Sequence, residues 1–244
     1  MKDHRLTESI IGTAKVIVDI LPKGKVIPNT KITPTSITIH QTGNPNASAS
    51  ANHRYMKNCN KNGNRIASWH ITVGYDEIIQ AQSFNYKTYH AGCTKGNNSS
   101  IGIEICMYND KDKQKQAYVN AIELVRIIMK YYGWGLDKVK RHFDWTNKHC
   151  PAWLIEGKYG YTWAWFKQNL SDNEVLGFEP YRIKVIYPGK DGLNVRKSAS
   201  FSSDIVCQVF MGDVYTIIEE KNGLGKLKSG AGWISLNPTY IKKL

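Results

Sequence analysis

"SITIHQTG", residues 36–43, decides how the chain is read, because apolar and polar residues alternate as far as Gln41 and a turn follows. A period of two predicts a strand ending at Gln41, with His40 near its end. "ASWHITVGYDEIIQA" (67–81) predicts two short strands around a turn at Gly74 to Asp76, and "SSIGIEICM" (99–107) predicts another alternating strand. The period then changes. Tyr118, Ala121, Ile122, Val125, Ile128, Met129 and Tyr132 recur at helical spacing, and Gly133 supplies a C-terminal stop. "NPNASASANHRYMKNC" (44–59) is a weaker helix candidate after Pro45. Strands interleaved with helices predict an α/β sheet covered by helices on its faces.

The texture shifts at "QNLSDNEVLGFEPYR" (168–182), where polar and turn-forming residues gather as at a domain edge. Beyond it lie only short β-type runs, "YRIKVIY", "LNVRKS", "IVCQVF", "VYTIIEE", "GKLKSGAGWISL" and "YIKKL", split by Gly-rich turns. Such spacing predicts a small all-β barrel or sandwich. The expected organisation is therefore a domain over residues 1–170, a linker over 171–180 and a second module over 181–244.

Composition fits two folded units: 41% of the 244 residues are hydrophobic and 22% charged. The formal net charge of +13 predicts attraction to polyanions, among them nucleic acids, anionic lipids and phosphate-bearing wall polymers. The positive residues are scattered, without the basic block of a nucleic-acid tail. No run approaches the 18 or more apolar residues of a membrane span, so no membrane insertion is expected. Asp3, Glu8 and Asp19 interrupt the N-terminal stretch, which lacks the apolar core of a secretory signal. Synthesis in a cytoplasm and exit without a signal of its own are the expectation, with His4 on a mobile end. Five irregularly spaced cysteines exclude a disulfide framework and a CxxC zinc knuckle.

"RHFDWTNKHC" (141–150) sets His142 eight positions ahead of Cys150. By itself it allows a metal-binding segment, a nucleophilic cysteine with its base, or a crowded loop. His40 from a strand end, with His142 and Cys150 from a later loop, could close on one ion, because a catalytic zinc takes three protein ligands and leaves a fourth position open. Asp144 is a candidate to orient the His142 ring.

"ITIHQTG", "SWHITV", "YHAG", "SIGIEIC" and "RHFDWTNKHCP" occur in an order and at separations that resemble the zinc-dependent N-acetylmuramoyl-L-alanine amidases of the amidase-2 family. That family includes phage lysozymes of the T7 type and the peptidoglycan recognition proteins. The resemblance spans about residues 10–168 and implies a central mixed β-sheet flanked by helices. It implies a Zn2+ cofactor on His40, His142 and Cys150. It further implies Glu104 as the catalytic acid and base, and Lys148 as the stabiliser of the oxyanion. On an alternating strand Ile101, Ile103 and Ile105 share one face and Glu104 takes the other. Trp69 stands where the T7 type has a catalytic tyrosine, and Trp69, His70 and His90 are candidates for the substrate groove. His53 and His149 are left as structural.

The tail, with "GLNVRKSAS", "MGD" and "GAGWISL", resembles the bacterial SH3 domains that anchor lytic enzymes. Residues 181–244 carry ten Lys and Arg against five Asp and Glu, which suits an anionic wall. Together the two resemblances imply a phage or prophage endolysin, its oligomeric state not written in the sequence and a monomer favoured. It would cleave the amide between N-acetylmuramic acid and L-alanine of Gram-positive peptidoglycan by zinc-activated water, after holin-dependent release. A non-catalytic peptidoglycan binder is the alternative, and a nucleic-acid partner has only the charge in its favour.

Overall fold

The computed structural model describes residues 1–171 and 180–244 and divides into two compact units, Met1–Asp172 and Asn173–Leu244. The expected linker falls, over 172–179, outside the described residues.

In the first unit the strands are β1 (Ile10–Ile11), β2 (Ala14–Val18), β3 (Ser36–Gln41), β4 (Ile71–Val73), β5 (Glu77–Gln80), β6 (Ser100–Ile105) and β7 (Val139–Arg141). They form one sheet in the order β1-β2-β5-β4-β6-β3-β7. Pairings β2/β5, β4/β6, β6/β3 and β3/β7 are parallel; β1/β2 and β4/β5 are antiparallel, so the sheet is mixed. The helices are α1 (Ala49–Asn62), α2 (Thr94–Ser99), α3 (Lys111–Tyr132), α4 (Phe143–Thr146), α5 (Ala152–Glu156) and α6 (Trp163–Ser171). Ser48 caps α1 by accepting from the Ala51 amide, and Asp110 caps α3 by accepting from Asp112 and Lys113. Gly133 closes α3 with φ 68°, the left-handed conformation that glycine adopts without a Cβ clash.

Strand periodicity sorts the sheet into two faces. Ile39, Ile71, Val73, Ile101, Ile103 and Ile105 occupy one and are fully buried. Each such side chain contributes about 1.5–3 kcal/mol relative to exposure. Helix α3 covers this face, with Tyr118 Oη accepting from Gln41 Nε2 at 2.9 Å. His40, Thr72 and Glu104 lie on the other face, which α1 flanks. There Asn52 of α1 reaches Cys106, and Met56 packs with Trp69.

Where a free end was expected, the chain start is packed onto α3 through His4. Its Nδ1 is 2.8 Å from Tyr132 Oη, and its ring stacks on Tyr132 with 5.8 Å between centroids. The Met1 ammonium pairs with Glu8 at 2.9 Å.

The second unit contains β8 (Tyr181–Val185), β9 (Leu193–Arg196), β10 (Ile205–Val209), β11 (Val214–Lys221), β12 (Leu224–Leu227), β13 (Trp233–Ser235) and β14 (Ile241–Lys243). All pairings are antiparallel, in the order β10-β9-β13-β12-β11-β8-β14. Ile183, Val185, Val195, Ile217 and Ile234 form its core. The run "GKLKSGAGWISL" yields two strands, because Gly230 and Gly232 turn the chain with positive φ.

Candidate metal centre

Backbone register assembles the site. His40 on β3 pairs with Glu104 on β6, and Glu104 pairs with Thr72 on β4. Partners directly opposite on neighbouring strands point to the same face, so the imidazole and the carboxylate emerge side by side. Strand β7 ends beside β3, where the His142 amide donates to the Ile39 carbonyl at 3.2 Å. This sets the His142 ring 4.7 Å from that of His40. The loop then turns back on itself: the Phe143 amide donates to the Cys150 carbonyl at 2.9 Å. Cys150 Sγ is thereby brought 3.9 Å from His40 Nδ1. One ligand atom each from His40, His142 and Cys150 lies within 4.8 Å of the other two, and all three residues are buried.

The chemistry of this donor set suits a metal ion. Burial holds the His40 imidazole well below its ordinary pKa and lowers that of His142 to about 4, with the nearby Lys148 charge acting in the same direction. Both rings are thus neutral and offer lone pairs. His142 Nδ1 is buried and has no hydrogen-bond partner among the described residues, an expense that a ligated cation removes. Burial, reinforced by Glu104, pushes the Cys150 thiol up to about 11. Coordination reverses that shift, because a bound cation deprotonates its thiol ligand.

Burial also raises Glu104 to about 7, opposed by the charges of Lys148 and Arg65. Its Oε2 is buried without a partner among the described residues. In the metal-free protein the folded state therefore holds a proton on Glu104 between its ordinary 4.5 and about 7. Relative stability from this group is full below the lower value and is lost as pH rises through the upper one. Glu104→Gln should leave the Tm of the metal-free protein nearly unchanged at pH 4.5 and raise it at pH 8. The gain is bounded by about 1.4 kcal/mol per pH unit and reduced by water in the cavity. Identical Tm differences at the two pH values would contradict the shift.

A cavity of about 520 Å³ opens over this face, lined by the triad, Glu104, His90, Trp69 and Lys148. The profile of the N-acetylmuramoyl-L-alanine amidase family matches residues 30–153, a span that contains His40, Glu104, His142 and Cys150. The chain belongs to the N-acetylmuramoyl-L-alanine amidase family. It is 36% identical over 174 residues to the amidase XlyA of Bacillus subtilis (strain 168), covering 69% of this chain and 54% of XlyA. It is 38% identical over 128 residues to CwlA of the same organism, covering 50% and 45%. The structure of the XlyA catalytic domain superposes with a TM-score of 0.57 at 34% identity, over 65% of this chain and all of that domain. The structure of PlyL gives 0.56 at 29% identity, over 66% of this chain and 99% of PlyL. The chain spans about half the length of the curated relatives it matches. The first unit thus has the amidase-2 α/β fold.

Within this amidase fold the other candidates separate. Lys148 is exposed at the cavity wall with no ion-pair partner among the described residues. Trp69 is 7% exposed and belongs to an apolar cluster with Met56 and Cys59, while its Nε1–H donates to Thr72 Oγ1 at 2.6 Å. Its indole is scaffold with one edge in the cavity.

His70 is a correction. It is fully buried and does not line the cavity, because Tyr86 O, Gly102 N and Thr88 Oγ1 occupy both its ring nitrogens. Asp144 is another. It accepts from the Arg141 amide at 2.8 Å and from the Arg141 guanidinium at 2.6 Å, which commits it away from His142. His149 is tied to Glu156 at 2.8 Å. The cavity also contains Arg65, Tyr55 and Tyr89, which sequence reading missed. Tyr89 could have been found, since it precedes His90 within "YHAG"; Arg65 lies in no motif.

Proposed function

We propose that the chain is a zinc-dependent peptidoglycan hydrolase of the endolysin type that cuts the amide between N-acetylmuramic acid and L-alanine. The observation that carries this reading is the buried His40, His142 and Cys150 triad beside a carboxylate on the same sheet face, at a cavity of about 520 Å³. A zinc ion held by those three residues would supply Lewis acidity, polarising the amide carbonyl and acidifying water toward neutral pH.

Glu104 takes the proton of the attacking water and then hands it to the departing L-alanine nitrogen. Its place opposite His40 on the same sheet face, at the cavity wall, puts the carboxylate where it can do both. The Lys148 ammonium stabilises the negative charge that develops on the carbonyl oxygen. Arg65 adds a second cation to the wall and favours an anionic stem peptide. Purified protein should bind zinc and release new L-alanine amino termini from Gram-positive walls. Wall binding without new termini would favour the non-catalytic alternative.

The second unit is proposed as an SH3-like wall-binding module. It has a groove of about 210 Å³ lined by Tyr187, Tyr240, Phe201, Asp191 and Arg196, which offers aromatic faces and both charges to a peptide or sugar. Deleting residues 180–244 should lower pelleting with walls far more than turnover of soluble muropeptides. Unchanged pelleting would remove the anchoring role. No described helix is long and apolar enough to cross a membrane. Release to the wall from the cytoplasm, through a holin, and a monomeric state complete the proposal.

A further inference from the structure

We propose that His90 is a positioning residue that fixes the tautomer of His40, so that His40 Nδ1 presents a bare lone pair to the metal. The inference rests on the reading of His40 as a ligand. It follows from two hydrogen bonds and the nature of their acceptors. His90 Nε2 lies 3.1 Å from the Ser100 carbonyl, which can only accept. The second neighbour of Nε2, Ser100 Oγ at 3.5 Å, spends its own proton on the Gly96 carbonyl at 2.8 Å. The hydrogen must therefore sit on His90 Nε2.

A neutral imidazole protonated at Nε2 has its lone pair on Nδ1. His90 Nδ1 is 2.9 Å from His40 Nε2, so it accepts and His40 donates. His40 then has its hydrogen on Nε2 and its lone pair on Nδ1, the atom 3.9 Å from Cys150 Sγ. The opposite polarity needs a doubly protonated His90 buried between the rings of His40 and His70, which stand 5.1 and 5.9 Å away. Desolvation penalises that cation.

The arrangement is built into the backbone. The His90 amide donates to Asn97 Oδ1 at 2.9 Å, which holds the residue against α2. Beneath the ring is Gly102, where a Cβ would fall 2.6 Å from His90 Cγ; only glycine lets the imidazole lie that close to β6. Ligand histidines in metal sites generally donate their second nitrogen to a carboxylate, carbonyl or water. Here a second histidine takes that place and passes the polarity of a distant carbonyl to the ligand atom.

The test is a long-range proton–nitrogen correlation spectrum of the histidine side chains in the metal-free, full-length protein. His40 and His90 should both appear as Nε2–H tautomers; an Nδ1–H His40 overturns the proposal. Zinc affinity by chelator competition provides a second readout. His90→Leu should weaken it by about 10- to 100-fold. His90→Asn, whose Oδ1 can stand at the Nδ1 position, should restore most of the loss. Wild-type affinity in His90→Leu also overturns the role. If His90→Leu does not fold, the wild-type spectrum decides. A wild-type protein that takes up no zinc defeats the ligand reading, while the tautomer result still stands or falls on its own spectrum.

Discussion

Glu104→Gln is expected to lower turnover of soluble muropeptides by about 10²- to 10⁴-fold, the range that general acid–base catalysis supplies, with zinc content unchanged. Glutamine keeps the size and one acceptor oxygen but cannot take a proton from water or return it to the leaving nitrogen. The residue is not a member of the ligand triad, so its loss should leave metal uptake intact. Turnover and zinc content measured on the same preparation check this. Full activity in a zinc-loaded variant would end the assigned role, and loss of zinc alongside activity would mean that Glu104 supports the metal rather than the proton transfer.

Cys150→Ser should abolish both zinc retention and turnover. Three protein ligands are the usual complement of a catalytic zinc. Serine replaces the soft thiolate with a hydroxyl that does not ionise at neutral pH, which leaves only the two imidazoles. Thermal unfolding reports the same event: zinc at a thousand times its Kd stabilises a folded protein by about 4 kcal/mol. Wild-type protein should therefore gain Tm on adding zinc, and Cys150→Ser should not. A variant that keeps its zinc and its Tm response yet loses turnover would instead revive the nucleophilic cysteine.

Much of the fold was legible because its signals are local. The alternation in "SITIHQ" and "SIGIEI" became β3 and β6. The apolar period ending at Gly133 became α3, whose first turn at Lys111 lies ahead of the first apolar marker, Tyr118. The separation of Glu104 from its isoleucine neighbours follows from strand parity alone. The site was harder. Spacing within "RHFDWTNKHC" left three readings open, and only the resemblance joined His40 to it.

What sequence missed depends on contacts between distant segments. His4 looked free because its partners, Tyr131 and Tyr132, sit at the far end of α3. Asp144 looked like a partner for His142 because it is two residues away, but the backbone aims it at Arg141. His70 and His90 looked equivalent, both candidates for the substrate groove by their place in the family motifs. The difference lies in which ring β6 shields: Gly102 donates its amide to one and opens space for the other. Nothing in a single sequence encodes that division.

The row Thr72, Glu104, His40 has a consequence for change in this protein. The spacing between Glu104 and His40 is set by the main-chain ladder, in steps of one strand separation of about 4.8 Å, rather than by the packing of either side chain. The connection that carries Arg65, which holds none of the groups bonded to His40 or Glu104, can therefore be lengthened or exchanged without moving the two groups relative to each other. Exchange of that connection is thus a way to change the cavity wall while His40 and Glu104 keep their places.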